Sequence, residues 1–229
     1  MTMTEETAVL PFPKGRWQSL FLAALWLGFI AYGIWLSPPS APNTVEVIGQ
    51  LSTGQWAELN PGVVVLFNLM GLWPIIYASL ALSDGREQAI PAWPFVVGAF
   101  GFGAFALMPY LALRKPTYAL PHRPKTGLIK AMNHPLVGVG VSIAALLLVV
   151  YGISQGDIVE TWQDFSQQFA TSRFIHVMTL DFCMLTLLTP SLLWDDIARR
   201  RCAAAWRAVS LLPLLGPALY LALRPAVKP

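Results

Sequence analysis

Three polar side chains stand inside runs of this chain that are otherwise apolar: Asn68, His176 and Asp181. An ionisable group at membrane depth is costly, so each needs a reason. Asp181 lies seven residues into a run that begins near Phe174. A desolvated carboxylate pairs with a cation or takes up a proton. A carboxyl that holds its proton near neutral pH suits general acid–base chemistry. One that is hydrogen-bonded to a neighbouring helix is a packing device, and the residues alone allow either. His176 precedes Asp181 by five residues. Five helical residues turn the chain by about 500°, so the two side chains point about 140° apart and form no ready-made dyad. Thr179, Leu180 and Cys183 share the His176 side, and Asn68, on another run, is a partner for either group. His176 and Asp181 are therefore the candidate catalytic residues and Asn68 a candidate binding residue.

A further polar cluster reads DDIARRR, from Asp195 to Arg201. Asp195–Arg199 and Asp196–Arg200 are acid-first pairs four residues apart, which suits a helix running out of the membrane into water. The other reading makes Asp195 and Arg199 contacts for the polar head or ring of an amphiphile. His122 and His134 carry no metal spacing, and Cys183 and Cys202 form neither a CxxC motif nor a disulfide framework. The chain has no P-loop, Rossmann glycine pattern, HExxH, GxSxG or histidine-box set. No metal and no cofactor are expected.

The elements that must hold these residues are membrane helices. Of 229 residues, 55% are hydrophobic and 12% charged, with mean hydropathy +0.57. A soluble domain carries about 25% charged residues. The composition excludes a disordered chain and a soluble enzyme. The excess of 15 Lys and Arg over 12 Asp and Glu is what basic loops beside membrane spans supply. No basic–aromatic interleaving on a polar surface points to nucleic acid. A span needs about 20 apolar residues. Six stretches qualify: Trp17–Leu36, Gly62–Leu82, Trp93–Leu113, Leu136–Ile153, Phe174–Trp194 and Ala205–Leu223. The expected class is an all-α polytopic membrane protein of about six transmembrane helices. Pro74, Pro109, Pro190, Pro213 and Pro217 free carbonyls that neighbouring helices must satisfy. Gly98, Gly101 and Gly103 offer a smooth face for helix packing or for a flat ligand.

The chain also repeats itself. FALMPYLALR at 105–114 is matched by LGPALYLALR at 215–224, and Asp84 precedes the first as Asp195 and Asp196 precede the second. FNLMGLW at 67–73 lies on IHVMTLD at 175–181, which sets Asn68 against His176. The organisation read from this is a tail (1–16), a first three-span half (17–113), a basic connecting loop (114–135) and a second three-span half (136–229). Three spans per half make the halves inverted, an arrangement frequent in transporters. The loops after the first, third and fifth spans carry nine Lys and Arg, against six elsewhere, which places the N-terminus outside, although Lys14 and Arg16 argue the other way.

The stretch SRFIHVMTLDF followed by DDIARR resembles the end of the abscisic-acid-deficient-four-like family. Its plant members are chloroplast membrane proteins needed to form neoxanthin from violaxanthin. His176, Asp181 and Asp195 fall on the family's pattern, and LLPLLGPALYL, with Gly216 and Pro217, resembles its last span. LFNLMGLWPIIY at 66–77 is similar to its first span, with Gly71, Pro74 and Tyr77 matching. The resemblance touches about half of the chain; the first and third spans have no counterpart. It implies a neoxanthin-synthase-like protein of a thylakoid or plasma membrane in a photosynthetic organism. Such a protein would handle a carotenoid or chlorophyll-like pigment or lipid, with Asn68, Tyr77, Asp195 and Arg199 as binding residues. Opening an epoxide to an allene is a non-redox isomerisation needing an acid and a base, for which Asp181 and His176 are the candidates. Two other readings fit the same residues: an assembly or scaffold subunit of a membrane protein complex, and a small transporter.

Overall fold

The computed structural model describes residues 15–115 and 126–225. Lys14, His122, Arg123 and Lys125 lie outside them. The described chain is all helical, as a polytopic membrane protein should be, and five helices are long and apolar enough to cross a bilayer: Arg16–Leu36, Pro61–Asp84, Trp93–Leu113, Pro135–Ser154 and Arg173–Arg199.

The elements are α1 (Arg16–Ala31, extended by a wider π turn over Tyr32–Leu36), α2 (Thr44–Thr53), α3 (Pro61–Asp84), α4 (Trp93–Leu113), α5 (Gly127–Met132), α6 (Pro135–Ser154), α7 (Ile158–Thr171), α8 (Arg173–Leu188), α9 (Pro190–Arg199), α10 (Ala205–Val209) and α11 (Leu215–Leu223). Their starts are written in the sequence. Asn60 caps α3 by accepting from the Gly62 and Val63 amides at 2.7 and 3.2 Å, with Pro61 in the first turn. Asp157 caps α7 through Val159 at 2.7 Å and Glu160 at 3.1 Å. Pro190 cannot continue the α8 hydrogen-bond ladder, and α9 carries on beyond that break.

The third apolar stretch does not run straight. At Gly103 the backbone takes φ 48°, ψ −127°, and α4 turns back on itself. The Phe95 and Tyr110 ring centroids are 5.8 Å apart, where fifteen residues of straight helix would separate them by about 22 Å. Gln88 and Lys115, at the two feet, exchange hydrogen bonds of 2.6 and 2.7 Å. The glycines expected to form one smooth face instead serve a hairpin: Gly98 lets the arms close on Ala106, and Gly103 makes the turn. The sixth stretch is likewise broken. Pro213 interrupts it, Leu214 has φ 57°, and α11 returns alongside α10, with Trp206 and Tyr220 centroids 5.6 Å apart. Four units therefore run end to end (α1, α3, α6 and α8–α9), and two hairpins enter and leave by one end.

That end holds both feet of α4, the start of α6 and the last turn of α9. Asn133 donates to Ser83 at 2.7 Å there, and Arg114 reaches Asp195 at 2.5 Å. At the other end, the Arg173 amide donates to Pro39 at 3.1 Å, Asn60 to Asp164 at 2.7 Å, and Trp56 meets Tyr151 edge-on at 5.5 Å. Each half is then a span, an end-lying helix (α2 or α7), a returning span and a hairpin. Both hairpins enter from the same end, so the halves are parallel, related about an axis along the membrane normal, and not inverted. The inverted expectation counted a hairpin as a crossing. Superposing Asp84 on Asp196 also pairs Asn68 with Leu180, not with His176.

The topology re-sorts the charges. Of the eleven Lys and Arg among the described residues, ten lie at the hairpin end and Arg173 alone lies at the other, beside Glu46, Glu58, Asp157, Glu160 and Asp164. By the positive-inside rule the hairpin end, with the start of α1, is the end expected on the side where basic loops are retained. This expectation is opposite to the one drawn from six crossings, because the loops that had seemed to alternate sides share one. The exposed apolar sides of α1 and α6, including Leu27, Leu147 and Val150, suit contact with lipid.

Two outcomes follow. Cysteines at Gln88 and Lys115 will be joined by a short bifunctional reagent, whereas a straight α4 would set them about 40 Å apart and prevent it. In a background lacking Cys183 and Cys202, Glu160→Cys will react with a membrane-impermeant maleimide on intact cells and Lys130→Cys only after permeabilisation; the reverse pattern would refute the orientation.

Candidate functional site

Between the spans the turn of α4 leaves a cavity of about 630 Å³. Ile30, Gly33 and Ile34 of α1, Phe67, Met70 and Gly71 of α3, the α4 segment from Ala99 to Phe105, and Arg173, Phe174, Val177, Met178 and Asp181 of α8 line it. Its size falls within the range of small-molecule pockets, about 300–1,000 Å³. The wall is apolar apart from Arg173 at the outer end and Asp181 within.

Asp181 has a definite task. The returning arm of α4 begins at Ala104, where the first amides of a helix have no partner in the same helix. Asp181 Oδ1 accepts the Ala104 N–H at 2.8 Å, so a side chain of α8 caps the broken helix inside the membrane. Gly103 is required twice over: its φ is positive, and a β-carbon there would fall on the Asp181 carboxylate. Trp26 of α1 donates to the Phe105 carbonyl at 2.9 Å, and the Phe29 and Phe105 rings stack at 4.2 Å, so the turn is gripped from both sides.

His176 is elsewhere. Its Nδ1 lies 2.9 Å from the Phe169 carbonyl and its Nε2 lies 2.8 Å from the Tyr32 hydroxyl. A carbonyl only accepts, so Nδ1 carries a proton and Nε2 accepts from Tyr32. The ring also stacks on Phe169 at 4.2 Å. Both nitrogens are committed, and the ring does not line the cavity. The structure therefore does not bring the two candidate catalytic residues together.

The proposed binding residues are also spread out. Asn68 turns back to its own helix, donating to the Val64 carbonyl at 2.8 Å. Tyr77 is fully buried, donating to the Leu185 carbonyl at 2.7 Å and accepting from Thr189 at 3.1 Å. In the parallel register Tyr77 and Thr189 are equivalent positions, so they meet at the axis between the halves. Asp195 and Arg199 belong to a buried ionic cluster at the hairpin end, not to a solvated helix end. Arg114 bridges Asp84 at 3.1 Å and Asp195 at 2.5 Å, and also donates to the Ser191 carbonyl. Arg199 reaches Asp84 at 3.1 Å. Asp196 takes Arg200 and Arg224, each at 2.8 Å, and Tyr220 at 2.9 Å; Tyr110 donates to Asp84 at 2.7 Å. Of the two expected pairs four residues apart, Asp196–Arg200 forms, while Asp195 prefers Arg114. Burial works against the charge on Arg114, but Asp84 and Asp195 outweigh it and hold its pKa above the ordinary value. Burial pushes the Cys202 thiol up, away from a reactive thiolate. Among the described residues no three His, Cys, Asp or Glu side chains form a group able to hold a metal.

Sequence reasoning missed Arg173, Arg114 and Arg224. The duplicated YLALR ending held a signal for two of them, since an arginine repeated at the end of a buried hairpin requires a repeated acid.

Compared with family models, curated proteins and solved structures, the chain matches none.

Asp181→Asn keeps an acceptor for Ala104 and will lower stability slightly. Asp181→Leu leaves that amide unsatisfied and will cost about 1–3 kcal/mol. Gly103→Ala will be the most damaging of the three. Thermal unfolding in detergent measures the order; equal losses for Asn and Leu would contradict the capping role.

Proposed function

We propose that this protein binds an elongated apolar molecule with a polar end, a pigment or lipid, in the cavity between α1, α3, α8 and the turn of α4. What carries the reading is a chamber of about 630 Å³ at membrane depth, walled by aromatic and aliphatic side chains, with one carboxylate inside and one guanidinium at its edge. Such a wall selects for shape and apolar area, and the few polar groups set orientation. The resemblance noted from IHVMTLD makes a carotenoid one member of the ligand class and a photosynthetic membrane one setting. An isomerase would need an acid and a base on the same molecule. His176 is held by Phe169 and Tyr32, and only Asp181 faces the chamber, so binding rather than turnover is the reading adopted.

Gly71 provides the test. It lines the cavity, and a β-carbon there meets nothing within 4 Å, so a large side chain will enter the chamber without a backbone clash. Gly71→Phe will reduce the apolar molecule recovered with the purified protein by roughly tenfold, the effect of filling a packed site, while helical content and melting temperature hold. Solvent extraction and chromatography of both proteins measure it. Equal recovery from the two, or no bound molecule from either, would reject the reading.

A further inference from the structure

We infer that the molecule held in the cavity is an amphiphile with a single anionic head, carboxylate or phosphate, paired with Arg173. The inference rests on the binding reading above and narrows it. Arg173 is the first residue of α8 and lines the chamber at its outer end. Its Nε donates to the Pro38 carbonyl at 2.9 Å, which fixes the guanidinium at the wall. Among the described residues no carboxylate pairs with it, although five acids stand at the same end of the molecule. A cation held by a backbone carbonyl beside an apolar chamber, and left without a counter-ion by so many acids, has its ends of the plane available to an oxyanion.

The inner end argues for the same polarity. Asp181 is eight residues further along α8, about 12 Å deeper. No salt bridge to Asp181 is found among the described residues, and its Oδ1 is already taken by the Ala104 amide, so the deep end offers no cation to an anionic group and is left to the tail, or to a hydroxyl that hydrogen-bonds Asp181. The guanidinium at the outer end and the carboxyl group within therefore orient the ligand with its head at Arg173 and its tail past Gly71 and the α4 turn. An amphiphile already in the bilayer comes in from the side, with its tail leading along the apolar wall.

The experiment uses the purified protein in a neutral maltoside detergent and two fluorescent probes, cis-parinaric acid and its methyl ester, which share a tail and differ in the charge of the head. The acid will bind at least about tenfold more tightly than the ester, the worth of a charge-assisted hydrogen bond. Arg173→Gln will bring the ratio close to one, and Arg173→Lys will keep most of it. The ratio is read within each variant, so it does not depend on how much of a preparation is folded. Equal binding of acid and ester by the unaltered protein, both weakened by Gly71→Phe, overturns the anionic head and leaves the cavity reading standing, with a neutral-headed pigment or lipid as the ligand. A ratio unchanged in Arg173→Gln also overturns it. Binding that Gly71→Phe does not weaken, or no binding of either probe, overturns both.

Discussion

A chain that turns back inside an apolar layer exposes amides that neither lipid nor the helix can satisfy, and the hydrogen bond from Ala104 to Asp181 is how this molecule meets that constraint. Much of the site follows from it. The bond needs α8 close to the α4 turn, and only glycine at 103 permits the approach. Bringing α8 there sets Val177, Met178 and Phe174 opposite α3, while α1 closes the third side through Phe29, Trp26 and Phe105. Because each arm of the hairpin is only about half a membrane deep, the space beyond its turn is not filled by α4. That unfilled space is the cavity. The carboxylate that first suggests catalysis is thus, before anything else, a cap on a broken helix.

The feet of the hairpins pose the complementary problem, and the ionic cluster there answers it. Asp84 receives Tyr110 and Arg114 from α4, and Asp196 receives Tyr220 and Arg224 from the end of α11. The same three residue types close both hairpins on the spans that precede them. Arg114 to Asp195 and Arg199 to Asp84 then tie one half to the other. Removing one member of a buried set leaves an uncompensated charge, which costs about 3–5 kcal/mol, whereas the intact set contributes little net stability. Its value is registry: it admits one depth and one partner for each hairpin. The halves differ at the turns. The second turn is closed by its own backbone, with Gly216 donating to Leu212 at 3.1 Å and Ala218 to Leu214 at 3.0 Å, and Gly216 pressed against the Val209 carbonyl. No carboxylate is needed there, and the chamber described above lies at the turn of the first hairpin.

The class of the molecule was plain from composition, and the apolar stretches from their length. The duplicated YLALR was also visible, and its Tyr and Arg make like contacts in both halves, on Asp84 and on Asp196. The number of crossings was not visible. A run of 21 apolar residues satisfies the length rule whether it crosses or doubles back, and hydropathy carries no sign of direction. Three glycines in six residues were the available clue, and they were read as a face for packing or for a flat ligand, not as a turn. That one reading propagated: counting α4 as a crossing inverted the second half, reversed the orientation and divided the basic loops between two sides. At the site, Asp181 was correctly marked as a residue needing a partner, but that partner is a backbone amide, which has no signature in sequence. His176 was marked for the same reason, yet its partners, Phe169 and Tyr32, come from a loop-side helix and a π turn that periodicity does not reveal.

His176 nevertheless bears on the chamber through α1. That helix is the least buried of the five long ones, with 6% of its most apolar stretch buried, against 50% for α3 and for α4. Three contacts hold it in place: the Trp26 indole on the Phe105 carbonyl, the Phe29–Phe105 stack, and the Tyr32 hydroxyl on His176. The first two grip α1 at the level of the turn; the third grips it where the π turn widens the backbone. Between them lie Ile30, Gly33 and Ile34, the α1 share of the cavity wall. The α1 wall is therefore the lipid-facing side of the cavity. While the caps and the ionic cluster tie α3, α4 and α8 to one another, α1 is held by these side-chain contacts and by its packing on α4. His176 therefore fixes the outer end of the α1 wall through Tyr32.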